Sequence, residues 1–175
     1  MSKKYMIYGI IAIALAVFGY WVYSNQRTPQ IIETRDFSCP GWDMSNMTGF
    51  TFTFKYPVFK EWPNVTANAQ NCEIIVKTKG DYTFAKVHIN QGFNSFFPAE
   101  SAMKNQYGVY YTKEMASGQA EENWLRFRTG DDNHGAADVG IRLELLPIIQ
   151  TGIMEKFTDQ FFQIVIDSFR IKPES

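Results

Sequence analysis

The sequence predicts an α+β domain, an antiparallel β-sheet packed by helices, preceded by one N-terminal transmembrane helix. Three observations predict it. Residues Tyr5 to Tyr23 carry no charge. Downstream, GFTFTFKYP and VGIRLELL alternate apolar with polar or small residues in the period of a half-buried strand. Near the C-terminus, IMEKFTDQFFQIVIDSF spaces its apolar residues in the period of an amphipathic helix.

The uncharged run is about 19 residues, and at roughly 1.5 Å per residue it matches the ~30 Å hydrocarbon thickness of a bilayer. A secretory signal has a shorter apolar core and a small-x-small cleavage site, whereas this run ends in Phe18, Tyr20, Trp21 and Tyr23, which are too bulky for that site. A retained signal-anchor is therefore expected over 5–23, with a cleaved signal as the alternative. Lys3 and Lys4 favour a cytoplasmic tail at 1–4 by the positive-inside rule, although Arg27 weakens the asymmetry. The expected protein is single-pass in the cell membrane, with the lipid bilayer as partner and its C-terminal domain extracytoplasmic. Gly9, Ala12, Ala16 and Gly19 share one helical face, suited to close packing against another helix, unless they are simply the small residues common in such segments.

Polar residues broken by Pro29, Pro40 and Gly41 predict a tether over 24–46, with one short ordered piece at 30–33. The remainder, 47–175, has the length of one domain and shows no repeat. With 45% hydrophobic and 16% aromatic residues the chain can bury a substantial core. From residue 25 onward 15 Lys and Arg stand against 18 Asp and Glu, a net charge of −3 without a basic block, which argues against nucleic acid as a partner. Cys39 and Cys72 lie on the expected outer side, where thiols tend to pair, so they form either one disulfide or two free thiols. Neither has the spacing of a zinc or thioredoxin motif.

In GFTFTFKYP, Phe50, Phe52, Phe54 and Tyr56 define the buried face of a first strand that Pro57 should stop. CEIIVKT (72–78) and TFAKVHIN (83–90) predict a hairpin turning at Gly80. Pro98 should open a short helix, PAESAMKNQY. Strands follow at YGVYYTKEM, NWLRFRT and VGIRLELL. The last helix places Met154, Phe157, Phe161, Ile164 and Val165 on one face, and a short strand at 168–171 closes the chain.

The opening GFTFTFKYPVFKEW, a Phe-rich strand ending in Tyr-Pro and followed by Trp62, together with the closing IVIDSFRI, resembles the ends of PsbP-like and Mog1-like domains. The resemblance covers about residues 48–172. It implies an antiparallel sheet between helices that serves as a binding or assembly module, and it carries over no functional residue.

Candidate chemistry is sparse. His88 sits in an alternating strand and His134 in a loop, with no nucleophile motif beside either. The loop DDNHGAAD offers Asp131, Asn133 and Asp138 as oxygen ligands for calcium, but without the Gly and closing Glu of an EF-hand it suits a polar hairpin loop better. Glu121 and Glu122 are adjacent and point to opposite faces of a strand. Phe93, Phe96 and Phe97 precede the Pro98 helix and either staple its start or form an exposed aromatic patch. Asn46-Met47-Thr48 and Asn64-Val65-Thr66 match glycosylation acceptors. No cofactor is expected. The function expected from these features is a membrane-anchored, non-enzymatic binding or accessory module with an unidentified protein partner. The alternatives are a small extracytoplasmic enzyme and a pseudopilin-like self-assembling subunit, the latter disfavoured by the missing acidic residue near the start of the apolar run.

Overall fold

The computed structural model describes residues 3–26, 28–43, 48–91, 102–114, 122–128, 138–145 and 151–173. They form, in chain order, α1 (Lys3–Gln26), β1 (Ile31–Asp43), β2 (Thr48–Phe59), β3 (Asn64–Asn68), β4 (Glu73–Lys77), β5 (Thr83–Gln91), β6 (Met103–Lys104), β7 (Tyr110–Glu114), β8 (Glu122–Arg128), β9 (Asp138–Leu145), α2 (Thr151–Ser168) and β10 (Arg170–Pro173). The strands make two sheets, β1-β2-β10 and β3-β4-β5-β9-β8-β7-β6.

This architecture corrects the expected fold class. In place of an α+β domain with one antiparallel sheet packed by helices, the chain is mostly β, with two sheets and two helices among the described residues. Two segments account for much of the difference. The first is the expected tether, where Ile31–Asp43 runs antiparallel to β2 from Ile31 opposite Phe59 to Asp43 opposite Thr48. Pro40 is tolerated because β1 is an edge strand, so its missing N–H costs no ladder bond on the free side. Gly41 lies opposite Phe50, and a Cβ there would overlap the Phe50 ring, so this glycine makes room for an aromatic and breaks no strand. The second is PAESAMKNQY. Its first residues lie outside the described set, but Met103–Lys104 is strand β6 and residues 105–109 form a turn.

The transmembrane expectation is also corrected. Helix α1 runs from Lys3 to Gln26, yet among the described residues no helix is long and apolar enough to cross a membrane. The terms transmembrane, single-pass and signal-anchor therefore lose their structural basis.

One smaller difference has a local cause. Strand β2 continues past Pro57 to Phe59. Its other neighbour, β10, pairs only with Phe50 to Thr53, so the proline nitrogen faces an unpaired side. The β4–β5 hairpin turns at Gly80 as expected, and Asp81 beside it is left-handed, with φ 65°. Asp tolerates that conformation because its short side chain can bond locally, here to Lys77 Nζ at 3.0 Å.

The core lies where the apolar faces of both sheets meet α2. Phe50, Phe52 and Phe54 alternate to one side of β2, as a period of two requires, and all three are buried. Phe169, at the end of α2, stacks on Phe127 of β8 at 3.7 Å between ring centroids and on Phe52 of β2 at 6.0 Å. Nearly two turns in from the other end of α2, Phe157 meets Phe59 and Phe84 at 4.8 and 4.9 Å. Because rings from both sheets reach it, α2 buries a wider arc than one face. Phe162 and Ile166 are buried beside Phe157, Phe161 and Val165, while Ile164 is only half-buried. Each such aromatic contributes about 1.5–3 kcal/mol on full burial. Trp62 lies flat on Phe84 at 4.0 Å, which seats the chain between β2 and β3 on this cluster.

Candidate functional site: a cationic pocket at the end of α2

Period-two alternation decides what faces solvent on the small sheet. With Phe50, Phe52 and Phe54 turned inward, Thr51, Thr53 and Lys55 of β2 turn outward. Register then sets Asp36 of β1 opposite Lys55, Arg170 of β10 opposite Thr53, and Lys172 opposite Thr51. A pocket of about 460 Å³ opens over this face, lined among others by Asp36, Lys55, Tyr107, Ile164, Arg170 and Lys172.

The second wall of the pocket is the 105–109 turn, and Asn105 builds it. Its Oδ1 accepts from the backbone N–H of Tyr107 at 3.0 Å and of Val109 at 3.1 Å. Its Nδ2 donates to the carbonyls of Ile166 at 3.0 Å and Phe169 at 2.8 Å. Gly108, with φ 78°, supplies the left-handed residue that lets the chain return to β7. Gln106 donates through Nε2 to the carbonyl of Asp167. The last carbonyls of a helix have no partner within it. Here two side chains from a distant turn satisfy them, and in doing so they bring Gln106 and Tyr107 beside β10.

Arg170 is held by that arrangement. Its Nη2 donates to Tyr107 Oη at 2.6 Å, and the guanidinium carbon lies 3.9 Å from the Tyr107 ring centroid. Ser168 is fully engaged: its Oγ accepts from the Lys55 N–H at 2.8 Å and donates to the Ile164 carbonyl at 2.6 Å. None of Lys55, Arg170 and Lys172 makes an ion pair with a described carboxylate. Asp167 accepts from Gln163 Nε2 at 2.9 Å.

On the neighbouring part of the small sheet, Arg35 pairs with Glu33 and faces Tyr56 across the β1–β2 ladder. The hydrogen bond that Arg35 donates to the Glu33 carboxylate raises the Arg35 pKa above its ordinary value. Burial raises that of the Tyr56 phenol, with Arg35 opposing the shift.

The structure distributes the residues singled out from sequence as follows. Cys39 in β1 and Cys72, in the turn before β4, are joined in a disulfide with Cα atoms 5.9 Å apart, which ties the small sheet to the large one. Gly9, Ala12, Ala16 and Gly19 lie in the exposed part of α1, and nothing described comes within 4 Å of a Cβ placed on Gly9 or Gly19. Phe93, Phe96, Phe97, Asp131, Asn133, His134 and Glu121 lie outside the described residues. Asp138 opens β9 opposite Arg128. Asn64 opens the exposed edge strand β3 and donates through Nδ2 to the Thr78 carbonyl at 3.1 Å.

His88 stands on the outer face of the large sheet, its Nδ1 3.5 Å from Glu73 and its Nε2 3.4 Å from Glu144. The carboxylates address opposite edges of the ring and do not converge on one point. Among the described residues no group of three side chains is placed to hold a metal ion.

Lys55, Asn105, Tyr107, Arg170 and Lys172 had no sequence signal as a group. The outward positions of β2 and β10 were legible by alternation, but nothing local joins them to a turn some sixty residues away in the chain. No protein-family model, curated protein or solved structure matches the chain.

Proposed function

We propose that this chain is a non-enzymatic binding module, held at a lipid bilayer by α1 and displaying its two-sheet domain outside the cytoplasm. The observation that carries this reading is the surface of α1. Every described side chain of that helix is exposed, and among them Tyr8, Ile10, Ile13, Leu15, Val17 and Tyr20 are 60–73% exposed. A helix whose described side chains are all uncharged and exposed is stable in an apolar surrounding, and lipid supplies one.

Two further features support the reading. The Cys39–Cys72 disulfide suits an oxidising compartment. In the pocket, the Ser168 hydroxyl is committed to capping α2, which favours binding over nucleophilic chemistry.

Vesicle flotation tests the proposal. The full chain should rise with phosphatidylcholine vesicles, and the double variant Ile11→Lys, Leu15→Lys should remain in the dense fraction. A full chain that stays dense, or a variant that floats equally well, would overturn it.

A further inference from the structure

We propose that the pocket at the end of α2 binds a small organic anion, its phosphate or carboxylate group held by Lys55, Arg170 and Lys172 and its apolar body laid against Tyr107 and Ile164. This rests on the binding-module reading but not on the lipid contact of α1.

Volume sets the scale: about 460 Å³ falls within the range of small-molecule sites. Charge sets the sign. Three cations from two adjacent strands share the outer face of the small sheet, and none of them is neutralised by an ion pair with a described carboxylate. Asp36 stands opposite Lys55 without pairing to it, and the Asp167 carboxylate is turned to Gln163. The lining therefore carries one positive charge in excess, inside a concavity that concentrates its field.

Orientation sets the chemistry. Tyr107 fixes Arg170 from the ring face and through one Nη, which leaves the rest of the planar fork in a defined position for an oxyanion. The backbone N–H of Tyr107 is held by Asn105 Oδ1, which sets where the Tyr107 ring leaves the turn to meet Arg170. The ring of Tyr107 and the side chain of Ile164 offer the apolar surface that a bare inorganic anion would leave unused.

Isothermal titration of the full chain with phenyl phosphate, and separately with inorganic phosphate, tests the proposal. Phenyl phosphate should bind at one site, more tightly than inorganic phosphate, and more weakly as ionic strength rises. Arg170→Gln and, away from the Tyr107 stack, Lys172→Gln should each weaken it by about tenfold, the scale of a charge-assisted hydrogen bond. Lys79→Gln, which removes a positive charge outside the pocket, should leave it within about twofold.

Absence of saturable binding would overturn the proposal, as would equal weakening by Lys79→Gln. Competition names the source of the anion. Displacement of phenyl phosphate by vesicles containing phosphatidic acid, but not by phosphatidylcholine alone, marks a lipid headgroup, and its retention marks a free solute. The titration needs no vesicle, so its failure and the failure of flotation are separate results.

Discussion

Asn105 donates through one amide nitrogen to the carbonyl of Phe169 at 2.8 Å, across 64 residues of chain. The same nitrogen reaches Ile166 at 3.0 Å, and Asn105 is itself buried. A single side chain thus caps α2, shapes the 105–109 turn and places Gln106 and Tyr107 as one wall of the pocket.

Replacing Asn105 should therefore cost more than one hydrogen bond. Asn105→Asp keeps the shape but removes both donors and leaves two carbonyls without them. A buried unsatisfied polar group costs about 1–3 kcal/mol, so a loss of about 2–4 kcal/mol is expected. Urea unfolding of the variant against the parent measures it. A loss below about 0.5 kcal/mol would mean that water replaces the amide and the cap is dispensable.

The disulfide between Cys39 and Cys72 closes a sequence separation of 33 residues that holds all of β2 and β3. A loop of that length is worth about 3–4 kcal/mol in the chain-entropy account. The double variant Cys39→Ser, Cys72→Ser should unfold at lower urea than the oxidised parent by that amount. Under a reductant the two should move together. Coinciding transitions without reductant would show that the bond does not constrain the unfolded chain.

Gly41 and Phe50 make a second pair with a definite test. Any Cβ at 41 overlaps the Phe50 ring, and Phe50 is buried. Gly41→Ala should destabilise by about 1–3 kcal/mol, the usual cost of overpacking. In a Phe50→Ala background the same change should be close to neutral, because the clashing ring is gone. A double-mutant cycle by urea unfolding reads the coupling, and an additive result would remove the clash as the cause.

The elements most legible in the sequence are those with one buried face. Val139, Ile141, Leu143 and Leu145 announce β9 by alternation, and every one of them is buried. Strand β1 hides the same alternation, because its inward positions are Phe37, Cys39 and Gly41 and its outward position 40 is proline, the usual marks of a tether. Strand β3 is nearly all exposed at a sheet edge, so Asn64–Asn68 has little apolar pattern to read. The pocket escaped for a different reason. Lys55, Arg170 and Lys172 each look like the wet side of a strand, and only the fold shows that they line one pocket without an ion pair to a described carboxylate.

Tyr56 supplies a prediction in pH. Its phenol is buried, and burial disfavours the phenolate, so its folded pKa lies above the ordinary value of 10.0. A group whose pKa is raised on folding contributes its full stability below the unfolded pKa. That contribution is lost as pH rises from about 10 through the folded value, because the unfolded chain gives up the proton first. Arg35, opposite Tyr56, favours the phenolate and keeps the shift smaller than burial alone would make it. Tyr56→Phe cannot ionise. Parent and variant should therefore diverge only above pH 10, with the parent losing stability more steeply. Urea midpoints at pH 8, 10 and 11 measure the divergence. Parallel loss in both proteins would show that Tyr56 ionises as readily in the folded chain as in the unfolded one.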